Sequence, residues 1–385
     1  MSLRLLTAGE SHGPELVLIV EGVPAGVPVD VGEIDRQLER RRGGHGRGAR
    51  STKIEHDHAE IVSGVVASHT TGSPVAIRIV NLDFANQPRD PVPLTTPRPG
   101  HADLAGAIKH GHSDFRIVRE RASARETAAR VAAAAVVLPL LRKFGISLGC
   151  FVTAIGEVVL RVDLGTLSAK CLLDLAAEAD TDPVRCPDPA TSERMVAAID
   201  RAKEDRQTLG GSFVVFATGV PVGLGSYTQW DLRLDGRLAQ AICSIPAVKG
   251  VEIGPAFQVS TLSGSQAQDP IRGSGDKLSR SSNYAGGVEG GMSDGEPIVL
   301  QAAMKPLSST RAPVVSVDLA TGTSADPAYV RSDICAVPAA AVVGEAMLGW
   351  VLAGALLERF GGDRLDASLA AARQVDSQPM PGLSQ

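Results

Sequence analysis

Two histidines in glycine-bordered turns have the surroundings that proton transfer needs. His12 lies in GESHG (9–13) and His101 lies in RPGHAD (98–103), and each has a carboxylate two residues away in the sequence. An imidazole titrates close to neutral pH, so it can protonate a leaving group or another acceptor. A structural role would explain either histidine alone almost as well. The two turns are therefore candidate proton-donor sites.

A second possible chemistry is metal binding at EHDH (55–58). On a strand, His56 and His58 would lie on one face beside two carboxylates. The segment lacks the H-E-x-x-H spacing of a helical zinc site. A metal-dependent hydrolase is therefore an alternative, but we expect no metal in this protein.

The segment from Arg40 to Lys53 concentrates positive charge in a chain whose formal net charge is −5. It contains six Lys or Arg residues and no acid, and its glycines let the backbone approach an anion closely. Arg41 and Arg47 are the candidate anion ligands. An RNA-binding or anion-sensing module is the non-enzymatic alternative, but only 3% of the residues are aromatic, which leaves no visible stacking platform. A small molecule with several negative charges is the expected guest.

A helix beginning at Ser123 is expected to supply a further anion site. Ser123 and Glu126 have the spacing of a capping box, and Gly145 is a plausible C-terminal stop. The unpaired amides at a helix start attract anions, and Arg121 precedes them. The glycine-rich stretch 286–298 matches neither a P-loop nor a dinucleotide-binding fingerprint.

The pattern of hydrophobic residues predicts an α+β domain. Strands and helices do not alternate regularly, as a doubly wound sheet requires, and no repeat period is visible. Five cysteines without a C-x-x-C pair suggest a reducing, cytoplasmic setting, and the apolar run 131–141 is too short to span a membrane. The predicted strands are 15–23, 60–66, 74–80, 147–155, 212–219, 297–304 and 313–320, and the predicted helices are 30–42, 123–144, 191–206, 231–243 and 337–359.

Seven motifs, in order along the chain, resemble the signatures of the chorismate synthase family. The resemblance covers nearly the whole chain, and seven separate matches in the right order are very specific. No long insertion of the kind found in bifunctional members is present. The motifs are GESHG (9–13), RRRGGHGRGARSTKIEHD (40–57), RPGHAD (98–103), RASARETAARVAAAA (121–135), GGMSDGEPI (290–298), KPLSS (305–309) and RSDICAVPA (331–339).

The resemblance implies a lyase that converts 5-enolpyruvylshikimate 3-phosphate into chorismate and phosphate by 1,4-anti elimination. It implies a requirement for reduced FMN (FMNH2), supplied by a separate flavin reductase or another reductant. It also implies a β-α-β sandwich with helices between two antiparallel sheets. We expect one domain over residues 1–385, with a C-terminal tail from about 361, assembled as a homotetramer without nucleic-acid or membrane partners.

The resemblance also assigns site residues. His12 is implied as the donor to the leaving phosphate and His101 as the donor near flavin N1, while Asp333, with Ser11 as a relay, handles the N5 proton. Arg41 and Arg47 match positions that contact substrate or NADP. The alternative role for Asp333 is a salt bridge to Arg331. The implied flavin contacts are Arg121, Ala122, Ser123, Pro246, Ala247, Gly290, Lys305, Pro306, Leu307, Ser308, Ser309 and Arg331, and many relatives have Asn in place of Pro246.

Overall fold

Two antiparallel sheets enclose a layer of helices in the computed structural model, which describes residues 3–48, 57–86, 92–274, 277–312, 314–328 and 332–376. The strands are Arg4–Ala8 (β1), Glu15–Glu21 (β2), Ala59–Ser63 (β3), Val65–Val66 (β4), His69–Thr70 (β5), Val75–Val80 (β6), Ser147–Ile155 (β7), Val158–Val159 (β8), Gly211–Thr218 (β9), Val248–Ile253 (β10), Ile271–Ser274 (β11), Lys277–Arg280 (β12), Val288–Glu289 (β13), Met292–Ser293 (β14), Ile298–Met304 (β15), Ser316–Asp318 (β16) and Thr323–Ala325 (β17). The helices are Val31–Arg42 (α1), Asp103–His110 (α2), Phe115–Arg121 (α3), Thr127–Lys143 (α4), Ala169–Thr181 (α5), Pro189–Glu204 (α6), Leu234–Cys243 (α7), Ala256–Val259 (α8), Gly264–Ala267 (α9), Val337–Phe360 (α10) and Leu365–Asp376 (α11).

The first sheet, in the order β1-β2-β6-β3, packs one face against the helices. Leu16, Leu18 and Val20 in β2 are fully or almost fully buried, while the residues between them are more exposed. This period of two is expected for a strand with one solvated face. The strand predicted at 60–66 is interrupted at Gly64, where φ is +82° and a Cβ atom would lie 2.5 Å from the carbonyl oxygen of Pro74.

Two apolar helices form the middle layer. Helix α4 packs against the first sheet and α1, whereas α10 packs against the second sheet, which has the order β10-β15-β9-β7-β8. Both helices are apolar on nearly all sides, as expected for elements without a solvated face. Gly344 lets α10 approach the sheet closely, because a Cβ atom there would lie 2.9 Å from the side chains of Phe213 and Val215. The predicted sandwich with helices between antiparallel sheets is confirmed.

Helix α5 covers the outer face of the second sheet. It packs on β7, and a separate apolar cluster fills the space between them. The buried members include Leu172 from the helix and Phe151 and Phe216 from the sheet. The second sheet is therefore buried on both faces, which explains the nearly continuous apolar sequence of β9.

Helix α10 is long and apolar enough to cross a membrane by length and composition, because its most apolar 18-residue window has a mean hydropathy of 1.8. In the structure 89% of its most apolar window is buried between protein layers. This burial is that of a core helix.

Several predicted boundaries shift. The helix predicted at 123–144 begins as a 3-10 turn at Ala124–Glu126, and α4 starts at Thr127. The strand predicted at 313–320 is only Ser316–Asp318, paired with β17, and Pro313 lies outside the described residues. The segment expected as a C-terminal tail contains α11, which packs against α10. Elements that were not predicted from the sequence include β1, β10, α2, α3 and α5.

Candidate active site

A cavity of about 410 Å³ opens at one end of the helical layer. Its size lies in the usual range for small-molecule sites, and α10 contributes an apolar wall that includes Ala339, Ala340 and Val343. Most of the residues predicted from the sequence meet here, although they come from distant parts of the chain. The predicted residues that line it are Ser11, His12, Arg41, Arg47, His101, Ala122, Ser123, Pro246, Ala247, Lys305, Leu307, Ser308, Ser309 and Asp333.

Four predicted residues are not among those lining the cavity. Arg121 lines an adjacent groove and donates to the carbonyl oxygens of Thr7, at 2.9 Å, and Gly9, at 3.3 Å. Pro306 lies between two lining residues. Gly290 occupies the turn between β13 and β14, and its neighbour Gly291 accepts from the Leu234 N–H at the start of α7, whereas Pro246 follows the other end of that helix. Arg331 lies outside the described residues. The flavin contacts assigned to these four positions stay predictions.

His12 is held by a carboxylate that the sequence did not identify. Its Nδ1 lies 2.8 Å from Oε1 of Glu120, and its backbone N–H donates to Oε2 at 2.7 Å. Burial alone would raise the pKa of Glu120, but the hydrogen bonds and charge of His12 outweigh it and lower that pKa. An ionised carboxylate only accepts, so Nδ1 carries a proton and Nε2 is the other ring nitrogen, the one able to exchange a proton with a ligand.

His101 has the same arrangement with Asp103. Its Nδ1 lies 2.6 Å from Oδ1 of Asp103, which also accepts from the Arg98 guanidinium. Burial would raise the pKa of Asp103, but the bonds from His101 and Arg98 lower it well below its usual range. Arg98 also donates to Ser309 at 2.8 Å. The turn at 98–103 is therefore fixed to the loop that follows β15.

Asp333 forms its ion pair with Arg47, whose Nη1 donates to Oδ2. The backbone N–H of Gly48 donates to Oδ1 at 2.6 Å. The salt bridge considered from the sequence involves Arg331, which lies outside the described residues, so that pairing stays a prediction. Arg47 cannot be removed without disturbing Asp333, and its role as an anion ligand also stays a prediction.

The start of α4 is built differently from the predicted capping box. The Ser123 hydroxyl accepts from the Arg125 N–H at 3.4 Å and donates to the Ser11 hydroxyl at 3.1 Å. The Glu126 carboxylate accepts from Arg130 at 3.0 Å, so it does not close the box. Ser11 is thus tied to the helix start.

Arg41 is almost fully buried beneath this turn. It is 4% exposed and donates to the Thr127 hydroxyl at 2.9 Å and the Ala124 carbonyl at 3.0 Å. Arg125 donates to both carboxylate oxygens of Asp57, at 2.8 and 3.3 Å. The arginine-rich segment begins in the last turn of α1, within the helix predicted at 30–42, and its Arg41 supports the start of α4 as well as lining the cavity.

The loop after β15 supplies an amine and hydroxyls. Lys305 Nζ donates to the Gly100 carbonyl at 3.0 Å and to the Ser308 hydroxyl at 3.1 Å. Burial lowers the pKa of Lys305, and the nearby Lys249 lowers it further. Ala247 accepts from the Lys305 N–H at 3.0 Å and has a φ of +70°, a strained conformation for a residue with a Cβ atom. Such strain is common at ligand sites, and here it sits in the cavity wall.

The histidine-rich EHDH segment does not converge on one point in its described part. Asp57 is bound by Arg125, whereas His58 Nδ1 lies 2.6 Å from Asp35 Oδ2. Glu55 and His56 lie outside the described residues. Among the residues that the structure does describe, no group of three His, Cys, Asp or Glu side chains could hold a metal ion.

Four charged residues of the cavity were not predicted individually from the sequence: Arg98, Arg119, Glu120 and Arg125. The alternation of Arg, His and Asp in 98–103 carried a usable signal for the first of them. Glu120 carried none, because its partner is 108 positions away. Taken together, the cavity combines two histidine–carboxylate pairs, one carboxylate–arginine pair and further cations, an arrangement suited to acid–base chemistry on a polyanion.

The chain resembles one set of known proteins over nearly its full length. A sequence model of the family described as chorismate synthase matches residues 3–357. The protein named chorismate synthase in Desulforudis audaxviator is 52% identical over 374 residues, which cover 94% of each chain. That of Rubrobacter xylanophilus is 52% identical over 375 residues, or 95% of this chain and 94% of the relative. A solved structure described as "Crystal Structure of Chorismate Synthase" is 42% identical, with a TM-score of 0.82 and 97% coverage of both chains.

Proposed function

This chain belongs to the chorismate synthase family, the enzymes that form chorismate in the shikimate pathway, and on that premise we propose how its cavity performs the reaction. The substrate is 5-enolpyruvylshikimate 3-phosphate, and the reaction is a 1,4-anti elimination in which phosphate leaves C3 and hydrogen leaves C6. The observation that carries this proposal is the pair of histidines, each held at Nδ1 by a carboxylate in the wall of one cationic cavity.

His12 protonates the departing phosphate. Glu120 fixes the orientation of its ring and stabilises the imidazolium, so Nε2 can deliver the proton. His101 acts as a second proton donor, and Asp103 and Arg98 orient its ring. Asp333 acts as a proton acceptor, and Ser11 is its proposed relay. The geometry supports the two histidine roles most directly, because each ring has one nitrogen engaged by a carboxylate.

Reduced FMN is the proposed cofactor, and the residues present fit it. A flat ring system needs an apolar surface, which α10 offers through Ala339, Ala340 and Val343, and hydrogen-bonding groups at its edge, which the Lys305–Ser309 loop offers. Lys305, Ser308, Ser309 and the Ala247 backbone would hold the flavin, with Ala122 and Ser123 from the start of α4. When bound, reduced FMN supplies electron density that assists loss of the phosphate.

We assign Arg41 and Arg47 to the substrate rather than to NADP. Both lie at the cavity with their guanidinium groups engaged by protein atoms, Arg41 by the α4 start and Arg47 by Asp333. Their contribution to ligand binding is therefore a positive potential in a site that is partly shielded from water. This role needs no second nucleotide site.

The remaining assignments follow the same family membership. We propose a single domain over residues 1–385, a homotetramer, a cytoplasmic location and a small-molecule substrate, with a separate reductase or chemical reductant as the only electron source. The Arg121, Pro246, Gly290, Pro306, Leu307 and Arg331 contacts to flavin belong to this proposal.

Anaerobic turnover tests the proposal. The purified protein is mixed with 5-enolpyruvylshikimate 3-phosphate and photoreduced FMN, without metal or RNA, and chorismate and phosphate are measured. We expect equal amounts of both products, and no products with oxidised FMN. Turnover that needs a metal ion would favour the hydrolase alternative, and no turnover in the presence of both reduced flavin and substrate would overturn the proposed reaction.

A further inference from the structure

Arg119 differs from the other arginines of the cavity in its partners. Arg41 and Arg125 face Asp57, Arg47 pairs with Asp333, and Arg98 pairs with Asp103. Arg119 lies on α3 and lines the same cavity. Within residues 3–48, 57–86, 92–274, 277–312, 314–328 and 332–376, which the structure describes, no side chain or carbonyl forms a hydrogen bond or ion pair with its guanidinium.

The environment of Arg119 makes this uncompensated charge costly. Burial lowers the pKa of Arg119, and the neighbouring Arg98 lowers it further, against the opposing effects of Glu120 and Asp103. These two carboxylates are already engaged by His12 and His101. A half-buried guanidinium that adjoins a second guanidinium is stabilised most by an anion that enters from the cavity.

We propose that Arg119 binds the phosphate group of the substrate beside His12 and holds it as it departs. The inference rests on the proposed function, since it takes phosphate as the leaving group. Phosphate offers oxygens that match the two-pronged geometry of a guanidinium. A cation that forms no hydrogen bond or ion pair with a protein carboxylate is the one whose charge is most available to a group that becomes more negative as its bond to carbon breaks.

The position of Arg119 favours phosphate over the substrate carboxylates. Its neighbour in the sequence, Glu120, orients His12, the proposed proton donor to the phosphate. One turn of α3 thus presents a fixed positive charge next to the carboxylate that positions the acid. Arg119 would bind the leaving group, and His12, which is held by Glu120 of the same helix, would protonate it.

The two reaction products distinguish the groups that Arg119 could contact. Inorganic phosphate and chorismate are each tested as inhibitors of the flavin-saturated enzyme, with Arg119→Met, Arg119→Lys and the parent. Losing a charged hydrogen bond costs about 1.5–3 kcal/mol, which is roughly a ten- to hundredfold weaker inhibition by phosphate. We expect Arg119→Met to show this loss with chorismate inhibition nearly unchanged, and Arg119→Lys to lose less. Lys109→Met removes an equal charge from the exposed face of α2 and should change neither.

Each other outcome has a defined meaning. Weaker inhibition by chorismate with phosphate unaffected would place Arg119 on a carboxylate and overturn the inference. Equal weakening of both, with altered thermal unfolding, would reduce Arg119 to a structural support of Glu120 and also overturn it. If the parent enzyme forms no chorismate, the proposed function fails first. If the parent turns over and Arg119→Met binds both products normally, only this inference fails.

Discussion

At the scale of single residues, the two histidines share a carboxylate partner at Nδ1 but differ in their other neighbours. Both engage a carboxylate through Nδ1, and the Nδ1 of His101 also lies 3.0 Å from the Arg98 guanidinium. His12, in turn, contacts Glu120 through both its ring and its backbone N–H. The pair is therefore asymmetric, which fits two proton donors with different acceptors.

This asymmetry predicts different defects in the two alanine variants. His12→Ala should slow phosphate release by about 10²- to 10⁴-fold, with the spectrum of bound reduced FMN little changed, because a positioned acid contributes that much to the rate. His101→Ala should alter the absorbance spectrum of bound reduced FMN as well as the rate. Anaerobic stopped-flow absorbance and phosphate release measure the two effects. Identical behaviour of the variants would contradict the division of roles.

Asp333 gives a second prediction at this scale. Asp333→Asn keeps the shape and a hydrogen-bond acceptor but cannot take up a proton, so we expect reduced FMN and substrate to bind and turnover to fall at least about a hundredfold. Single-turnover kinetics should place the loss after substrate binding. A near-normal rate with flavin saturated would limit Asp333 to its ion pair.

Arg47→Ala is the companion variant, and the structure changes what we expect of it. From the sequence it should chiefly weaken substrate binding. Because Arg47 holds Asp333, it should also lower the maximal rate. The two effects are separated by measuring kcat and the substrate Kd in the same variant, and a change in Kd alone would contradict the coupling.

At this scale, many residues of the cavity could be named from the sequence, but the side chains with which they form hydrogen bonds could not. The order and spacing of the motifs were enough to identify His12, His101 and Asp333 as candidate site residues of one family. Glu120 and Arg119 lie in no motif of their own, and their roles depend on the packing of α3 beside the 9–13 turn. Such tertiary contacts have no signal in local sequence.

At the scale of elements, Glu33 joins two helices of the middle layer. It lies in the first turn of α1 and accepts from Gln37 and from Arg142 of α4, each at 3.0 Å, and also from Arg36. Burial alone would raise the pKa of Glu33, but these hydrogen bonds and the Arg142 charge outweigh it and lower the pKa to about 2. The ion pairs are partly exposed, so their contribution to stability is about 1 kcal/mol.

The lowered pKa predicts a pH dependence of stability. The folded state binds the Glu33 proton less tightly than the unfolded chain, so the stabilisation is complete above about pH 4.5 and is lost as the pH falls toward 2. Urea unfolding of Glu33→Gln should show a deficit at pH 7 that shrinks between pH 4.5 and 3. Glu39→Gln, an exposed position on the same helix, is the control. A deficit that does not vary with pH would contradict this assignment.

Elements with strong periodicity were predicted well, and short charged ones were not. The predicted strand 147–155 and helix 337–359 agree with β7 and α10 to within one residue. Helices α2 and α3 are only 8 and 7 residues long and lie between two turns, too short for a 3.6-residue period to emerge. The capping box at 123 was wrong because Arg130, one turn into α4, competes for Glu126.

At the scale of the whole molecule, the described residues form no second unit that would serve as a reductase. With NADPH and oxidised FMN but no partner protein, we therefore expect almost no turnover. Dithionite or photoreduction should restore it. Sustained turnover driven by NADPH in a rigorously purified sample would show that the protein reduces its own flavin.

The place of α10 in the chain has a consequence for the protein while it is being made. Helix α4 ends at Lys143 and is apolar on nearly every side, but α10, which covers it, begins only at Val337. At about 5–20 residues per second, a ribosome needs roughly 10 to 40 seconds to add the intervening residues. During that time the unfinished chain exposes an apolar surface of alanine, valine and leucine side chains to the solvent. The enzyme should therefore depend on chaperones during translation more than after release, when α10 closes the core in a single step of packing.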